Sequence, residues 1–120
     1  METYHLSDSE YRFMQVVWDA EPVGSGELVV LCREKLGWKK STTYTVLKKL
    51  GERGMVQNEE SVVTALVPRE TVTEAAAEAF VDKTFNGSLP GFLTAFMSGR
   101  KLTEREAEDL KRLIDQYQEG

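Results

Sequence analysis

Residues 55–68 constrain this 120-residue chain more than any other stretch. They set β-branched runs on either side of a polar tip, Asn58-Glu59-Glu60, and end on Pro68. Such a segment reads as two short strands in a hairpin, closed by a proline that cannot extend the ladder. The rest of the chain has helical spacing. Leu6-Ser7-Asp8-Ser9-Glu10-Tyr11 pairs Ser7 with Glu10 as a capping box and Leu6 with Tyr11 as a hydrophobic staple. Phe13, Met14, Val17 and Trp18 then recur on one face of a first helix that should end near Ala20, ahead of Pro22. Val23-Gly24-Ser25-Gly26 reads as a turn, with Ser25 placed to cap a second helix. The inner side of that helix would hold Leu28, Leu31, Cys32 and Leu36, and Gly37 would stop it. A third helix is predicted over about residues 41–53, with Gly54 in the left-handed position behind it.

Three further helices follow the hairpin. Thr71 and Glu74 have capping-box spacing ahead of Val72, Ala75, Ala76, Ala79, Phe80 and Phe85, and Asn86-Gly87 breaks that helix. Leu89-Pro90 opens a short apolar helix with Phe92, Leu93, Phe96 and Met97, ending near Gly99. Thr103 and Glu106 repeat the capping box before a stripe of Ala107, Leu110, Leu113, Ile114 and Tyr117. Three helices followed by a hairpin make a winged helix-turn-helix, whose third helix enters the DNA major groove while the hairpin lies against the backbone. The expected architecture is mainly α with a small β-hairpin. Residues 1–70 would form a DNA-binding domain and residues 71–120 a helical dimerisation domain.

Composition removes other classes. With 41% apolar and 29% charged residues the chain is an ordinary globular one. Its longest apolar run, residues 28–32, falls far short of the about 20 residues a membrane span needs. The N-terminus has no basic start followed by an apolar stretch, so a cytoplasmic location without a membrane partner is expected. One cysteine and one histidine argue against an internal disulfide, a metal site and a Ser-His-Asp triad. Neither an enzyme nor a cofactor is expected. Cys32 falls on an apolar helix face, as a buried structural cysteine would, and His5 reads as an exposed residue near a helix start.

Charge points to a partner. The net charge is −5, yet Arg33, Lys35, Lys39, Lys40, Lys48, Lys49 and Arg53 against Glu34 and Glu52 give residues 33–53 a net +5. Potential is local, because salt screens beyond about 8–10 Å. At about 100° per residue, Thr43, Val46, Leu47 and Leu50 of the third helix face the core, while Ser41, Thr42, Thr45, Lys48 and Lys49 share the opposite side. Hydroxyls there can reach base edges, and ammonium groups and helix N-terminal amides can hold phosphates. Tyr44 lies at the flank. Serine and threonine are mediocre helix formers, so a run such as Ser41-Thr42-Thr43-Tyr44-Thr45 is not chosen for stability.

Four segments resemble the penicillinase-repressor family. They are Leu6-Ser7-x-x-Glu10 with Val16-Val17-Trp18; Trp38-x-x-Ser41-Thr42-Thr43-Tyr44-Thr45-Val46-Leu47-Lys48-Lys49-Leu50 ending in Arg53-Gly54; Phe85-Asn86-Gly87-Ser88-Leu89; and Leu102-Thr103-x-x-Glu106 with Leu110. The resemblance covers nearly the whole chain. It implies a dimeric winged-helix repressor that binds a palindromic operator in double-stranded DNA and silences resistance or stress operons. It places the DNA contacts at Ser41, Thr42, Tyr44, Thr45, Lys48 and Lys49, and Lys40, part of the basic segment, is expected to join them. The homodimer interface falls to the C-terminal helices, with Phe80, Phe85, Leu89, Phe92, Leu93, Phe96, Leu110, Leu113, Ile114 and Tyr117. Induction in the family's best-known members is cleavage by a membrane sensor protease after an asparagine that precedes a phenylalanine.

This sequence departs from that pattern in three places. The wing is tipped by Asn58, Glu59 and Glu60 where the family usually has basic residues. Ala95, before Phe96, stands where the cleavage asparagine would be, so a sensor protease is unsupported as a partner, and Phe96 is expected to be buried. The cysteine cluster of the copper-responsive relatives is missing. Two other readings compete. Phe80, Phe85, Phe92, Phe96 and Met97 could line the pocket of a small-ligand-sensing regulator, or the acidic wing could mark a protein-interaction module without DNA binding.

Overall fold

The computed structural model describes residues 4–118. In chain order its elements are α1 (Asp8–Ala20), β1 (Val23–Gly24), α2 (Ser25–Leu36), α3 (Lys40–Glu52), β2 (Val56–Glu59), β3 (Val62–Ala65), α4 (Arg69–Phe85), α5 (Leu89–Met97) and α6 (Glu104–Tyr117). This is the winged-helix order expected from the sequence, extended by three C-terminal helices.

Local chemistry sets most boundaries. The α1 capping box is complete, with Glu10 N donating to Ser7 Oγ at 3.2 Å and Ser7 N to Glu10 Oε1 at 3.0 Å. Gly37 and Gly54 follow α2 and α3 with φ of 71° and 77°, a conformation that costs glycine little. Glu60 and Ser61 both have positive φ at the hairpin tip, which matches the right-handed twist of the strands they join.

Three local expectations are corrected. Val23-Gly24 is a strand rather than a turn: Val23 pairs with Val63 and Gly24 with Val62, giving a sheet of order β1-β3-β2. Because pairing holds Gly24 extended, Gly24 takes the cap position of α2 and supplies no side-chain cap, while Ser25 is the first helical residue and donates its N–H to Ser61 O at 2.8 Å. The Thr71–Glu74 box does not start α4. Val72 N already donates to Pro68 O, so the first turn closes upstream of Thr71.

The chain divides into two compact units, Met1–Glu78 and Ala79–Gly120. The division falls inside α4, beyond residue 71, because Val72 is fully buried in the core of the first unit. That core joins Phe13, Met14 and Val17 of α1, Leu28 and Cys32 of α2, Leu47 and Leu50 of α3, and Val56 and Val63 of the sheet. Trp38 stacks on Phe13 with centroids 6.0 Å apart. Trp18 Nε1 donates to Val67 O at 2.9 Å and so fixes the chain leaving β3.

In the second unit Asn86 and Gly87 take positive φ and end α4. Ser88 caps α5, accepting from Gly91 N at 2.9 Å. Thr103 and Glu106 form the expected box on α6. None of the described residues of this unit is buried. Phe80, Phe85, Phe92 and Phe96 pack on one another with centroids 5.7–6.0 Å apart. Phe96, expected to be buried, is 54% exposed: it stacks on Phe92 and Arg100 lies over its ring 5.1 Å from the centroid, contacts that cover only part of it.

Candidate nucleic-acid interface

Helix α3 is held from below. Thr43, Leu47 and Leu50 are buried and Val46 half-buried, the face that helical spacing predicts. Locking that side turns Lys40, Ser41, Thr42, Tyr44, Thr45, Lys48 and Lys49 outward, and all seven are exposed. The structure therefore brings the predicted α3 residues onto one solvent-facing surface. No side chain caps the N-terminus at Lys39. The first-turn amides, beside the hydroxyls of Ser41 and Thr42, thus have their donors available to an anion.

The lysines differ in their surroundings. Lys49 Nζ lies 3.0 Å from Glu10 Oε2, whereas no ion pair involves Lys40 or Lys48 among the described residues. Glu10 also accepts from Arg53 Nη1 at 3.2 Å, and Arg53 Nη2 donates to His5 O at 2.6 Å. The carboxylate is almost wholly buried. Burial pushes its pKa up, but the Ser7 amide, Lys49 and Arg53 together hold it below the ordinary value. In the sequence Glu10 stands out as half of a capping box and as the last residue of the Leu6-Ser7-x-x-Glu10 motif. Its link to α3 spans the fold, and no local spacing signals it.

Between α3 and β2 lies an open cleft of about 560 Å³, lined by Tyr44, Leu47, Lys48, Glu52, Gln57 and Leu66 among others. Tyr44 packs at its wall, on the flank where the helical wheel sets it. The hairpin tip beyond carries Glu59 and Glu60, with Glu59 Oε1 accepting from Gln57 Nε2 at 2.8 Å. Behind the helix, Cys32 is fully buried and its thiol pKa is pushed up by desolvation, with the Thr43 hydroxyl opposing. A buried thiol of this kind is inert.

The residues assigned to dimerisation sit on the second unit, where Phe80, Leu89, Phe96, Leu113, Ile114 and Tyr117 are each about half exposed or more. Phe85, Phe92, Leu93 and Leu110 are half-buried. Among the described residues, no helix is long and apolar enough to cross a membrane.

A winged helix with a hydroxyl- and lysine-bearing third helix, followed by an apolar helical unit, has the architecture of a transcriptional regulator. The sequence profile of the penicillinase repressor family matches residues 6–116. The chain belongs to that family, which is regulatory and non-enzymatic. It is similar to the penicillinase repressor of Bacillus licheniformis, with 21% identity over 116 residues that cover 93% of this chain and 91% of the relative. It is also similar to an uncharacterized 16.5 kDa protein in the ptsI 3' region of Latilactobacillus sakei, with 25% identity over 93% of this chain and 80% of that protein.

Proposed function

We propose that this repressor-family protein acts as a homodimer that reads a palindromic operator through α3. The observation that carries the reading is the outward face of α3, where Ser41, Thr42 and Thr45 stand beside Lys40 and Lys48, neither in an ion pair among the described residues, on a helix fixed by its buried side. Thr42 and Thr45 would meet base edges, Lys48 and Lys40 the phosphates, and Tyr44 the flanking backbone. Residues 1–70, with the start of α4 that enters their core through Val72, would carry DNA binding, and the rest of residues 71–120 the dimer. The exposed apolar side chains of the second unit support that division, since a unit of this size rarely forms a stable core alone. Two copies would place two α3 helices on successive half-sites.

The test is the salt dependence of binding. Lys48→Ala should weaken all duplex sequences alike and make log K against log salt shallower by about 1.8, at roughly 0.9 per phosphate in a dimer. Thr45→Ala should lower operator affinity while leaving non-specific binding and the slope nearly fixed. If Lys48→Ala leaves the slope unchanged and Thr45→Ala spares the operator, α3 is not the reading element. A stable monomer at micromolar concentration in sedimentation would refute the dimer.

A further inference from the structure

We propose that Glu10 withholds Lys49 from DNA phosphate, so that α3 presents Lys48 and not the adjacent Lys49 to the duplex backbone. The inference rests on the reading of α3 as the DNA-binding helix.

Glu10 is gripped from three sides. Its Oε1 accepts from Ser7 N at 3.0 Å and from Arg53 Nη1 at 3.2 Å, and its Oε2 lies 3.0 Å from Lys49 Nζ. The carboxylate side chain is 8% exposed, while that of Lys49 is 63% exposed. The buried partner has few ways to be solvated, so the exchange of Lys49 from Glu10 to a phosphate would strip a desolvated anion of one of its two cations. Arg53 cannot turn inward to compensate without leaving His5 O, to which it donates at 2.6 Å. The first turn of α1 favours the ionised carboxylate, since the positive end of the helix dipole lies there.

Lys49 sits about 100° around α3 from Lys48, on the side that meets α1. A lysine already neutralised by a carboxylate displaces little counterion when DNA binds, so it adds little to the salt slope. Two adjacent lysines that look equivalent in the sequence are thus unequal in function. Glu10 is a positioning residue of the interface: it limits the sequence-independent attraction that would otherwise dilute reading by Thr42 and Thr45.

The experiment compares full-length wild type with Glu10→Gln, Lys49→Ala, the double variant Glu10→Gln/Lys49→Ala and Lys48→Ala. Each is titrated with a non-specific duplex across a salt series by fluorescence anisotropy. Glutamine keeps an acceptor for Ser7 N and removes the charge. Glu10→Gln should steepen the slope by about 0.9 per bound protomer, equal to an extra loss of about 3.5-fold in affinity for each protomer on a fourfold rise in salt. The double variant should return to the wild-type slope, and Lys49→Ala alone should stay close to it. A merely structural role for Glu10 would weaken binding without steepening the slope. The proposal is overturned if Lys49→Ala flattens the slope as much as Lys48→Ala does, or if folded Glu10→Gln shows no steepening. Should Glu10→Gln fail to fold by circular dichroism, the Lys49→Ala and Lys48→Ala slopes decide between the same two outcomes. An unchanged slope in Lys48→Ala would instead refute the role of α3 itself.

Discussion

Thr43 is the one described residue with a buried side-chain oxygen that finds no hydrogen-bond partner. It is fully buried on the inner face of α3, and Cys32 beside it offers only a weak sulfur contact. An unsatisfied buried hydroxyl costs about 1–3 kcal/mol. Valine has the same branched shape and nearly the same helix propensity. Thr43→Val should therefore stabilise the protein by about 1–2 kcal/mol, less a small loss of the sulfur contact. At about 4–8 °C per kcal/mol for a unit of this size, the melting temperature should rise by at least several degrees. Thr43→Ser provides the opposite control. It keeps the hydroxyl and removes a buried methyl, which costs about 1 kcal/mol. Urea unfolding followed by circular dichroism at one fixed protein concentration measures both, since dimerisation would otherwise shift the midpoints. The DNA face is untouched, so operator affinity should be unchanged in Thr43→Val. A lower midpoint for Thr43→Val would show that the hydroxyl has a real partner and that the reasoning is wrong.

Acid should reveal Glu10. Its pKa is held below the ordinary value, so it contributes stability above the unfolded-state pKa of about 4.3 and loses that contribution as pH falls through the folded value. Urea midpoints measured between pH 5 and pH 3 should fall more steeply for wild type than for Glu10→Gln; parallel curves would mean that the paired carboxylate carries no net stability. At the wing, Glu59→Lys should strengthen binding to every duplex and steepen its salt dependence if the hairpin lies beside the backbone, as anisotropy would show.

The helix boundaries that the sequence announced are those whose chemistry closes within a few residues. Ser7 with Glu10 and Thr103 with Glu106 cap their helices as spaced, and Gly37 and Gly54 take the left-handed positions that only a residue without Cβ adopts freely. The two faces of α3 were legible for the same reason, because the helical period sends Thr43, Leu47 and Leu50 to one side and Ser41, Thr45 and Lys48 to the other. The tertiary structure decided whatever depends on a distant partner. Val23-Gly24 looks like a turn until Val62 and Val63 arrive to pair with it. Val67 and Pro68 direct the chain into a helix before Thr71 can cap it, since Trp18 holds the Val67 carbonyl from α1. The inequality of Lys48 and Lys49 arises because folding carries the carboxylate of Glu10, a local cap by its sequence, to the far end of α3. Local hydrogen bonds can be read from spacing; the meeting of charges from separate helices is set by how those helices pack.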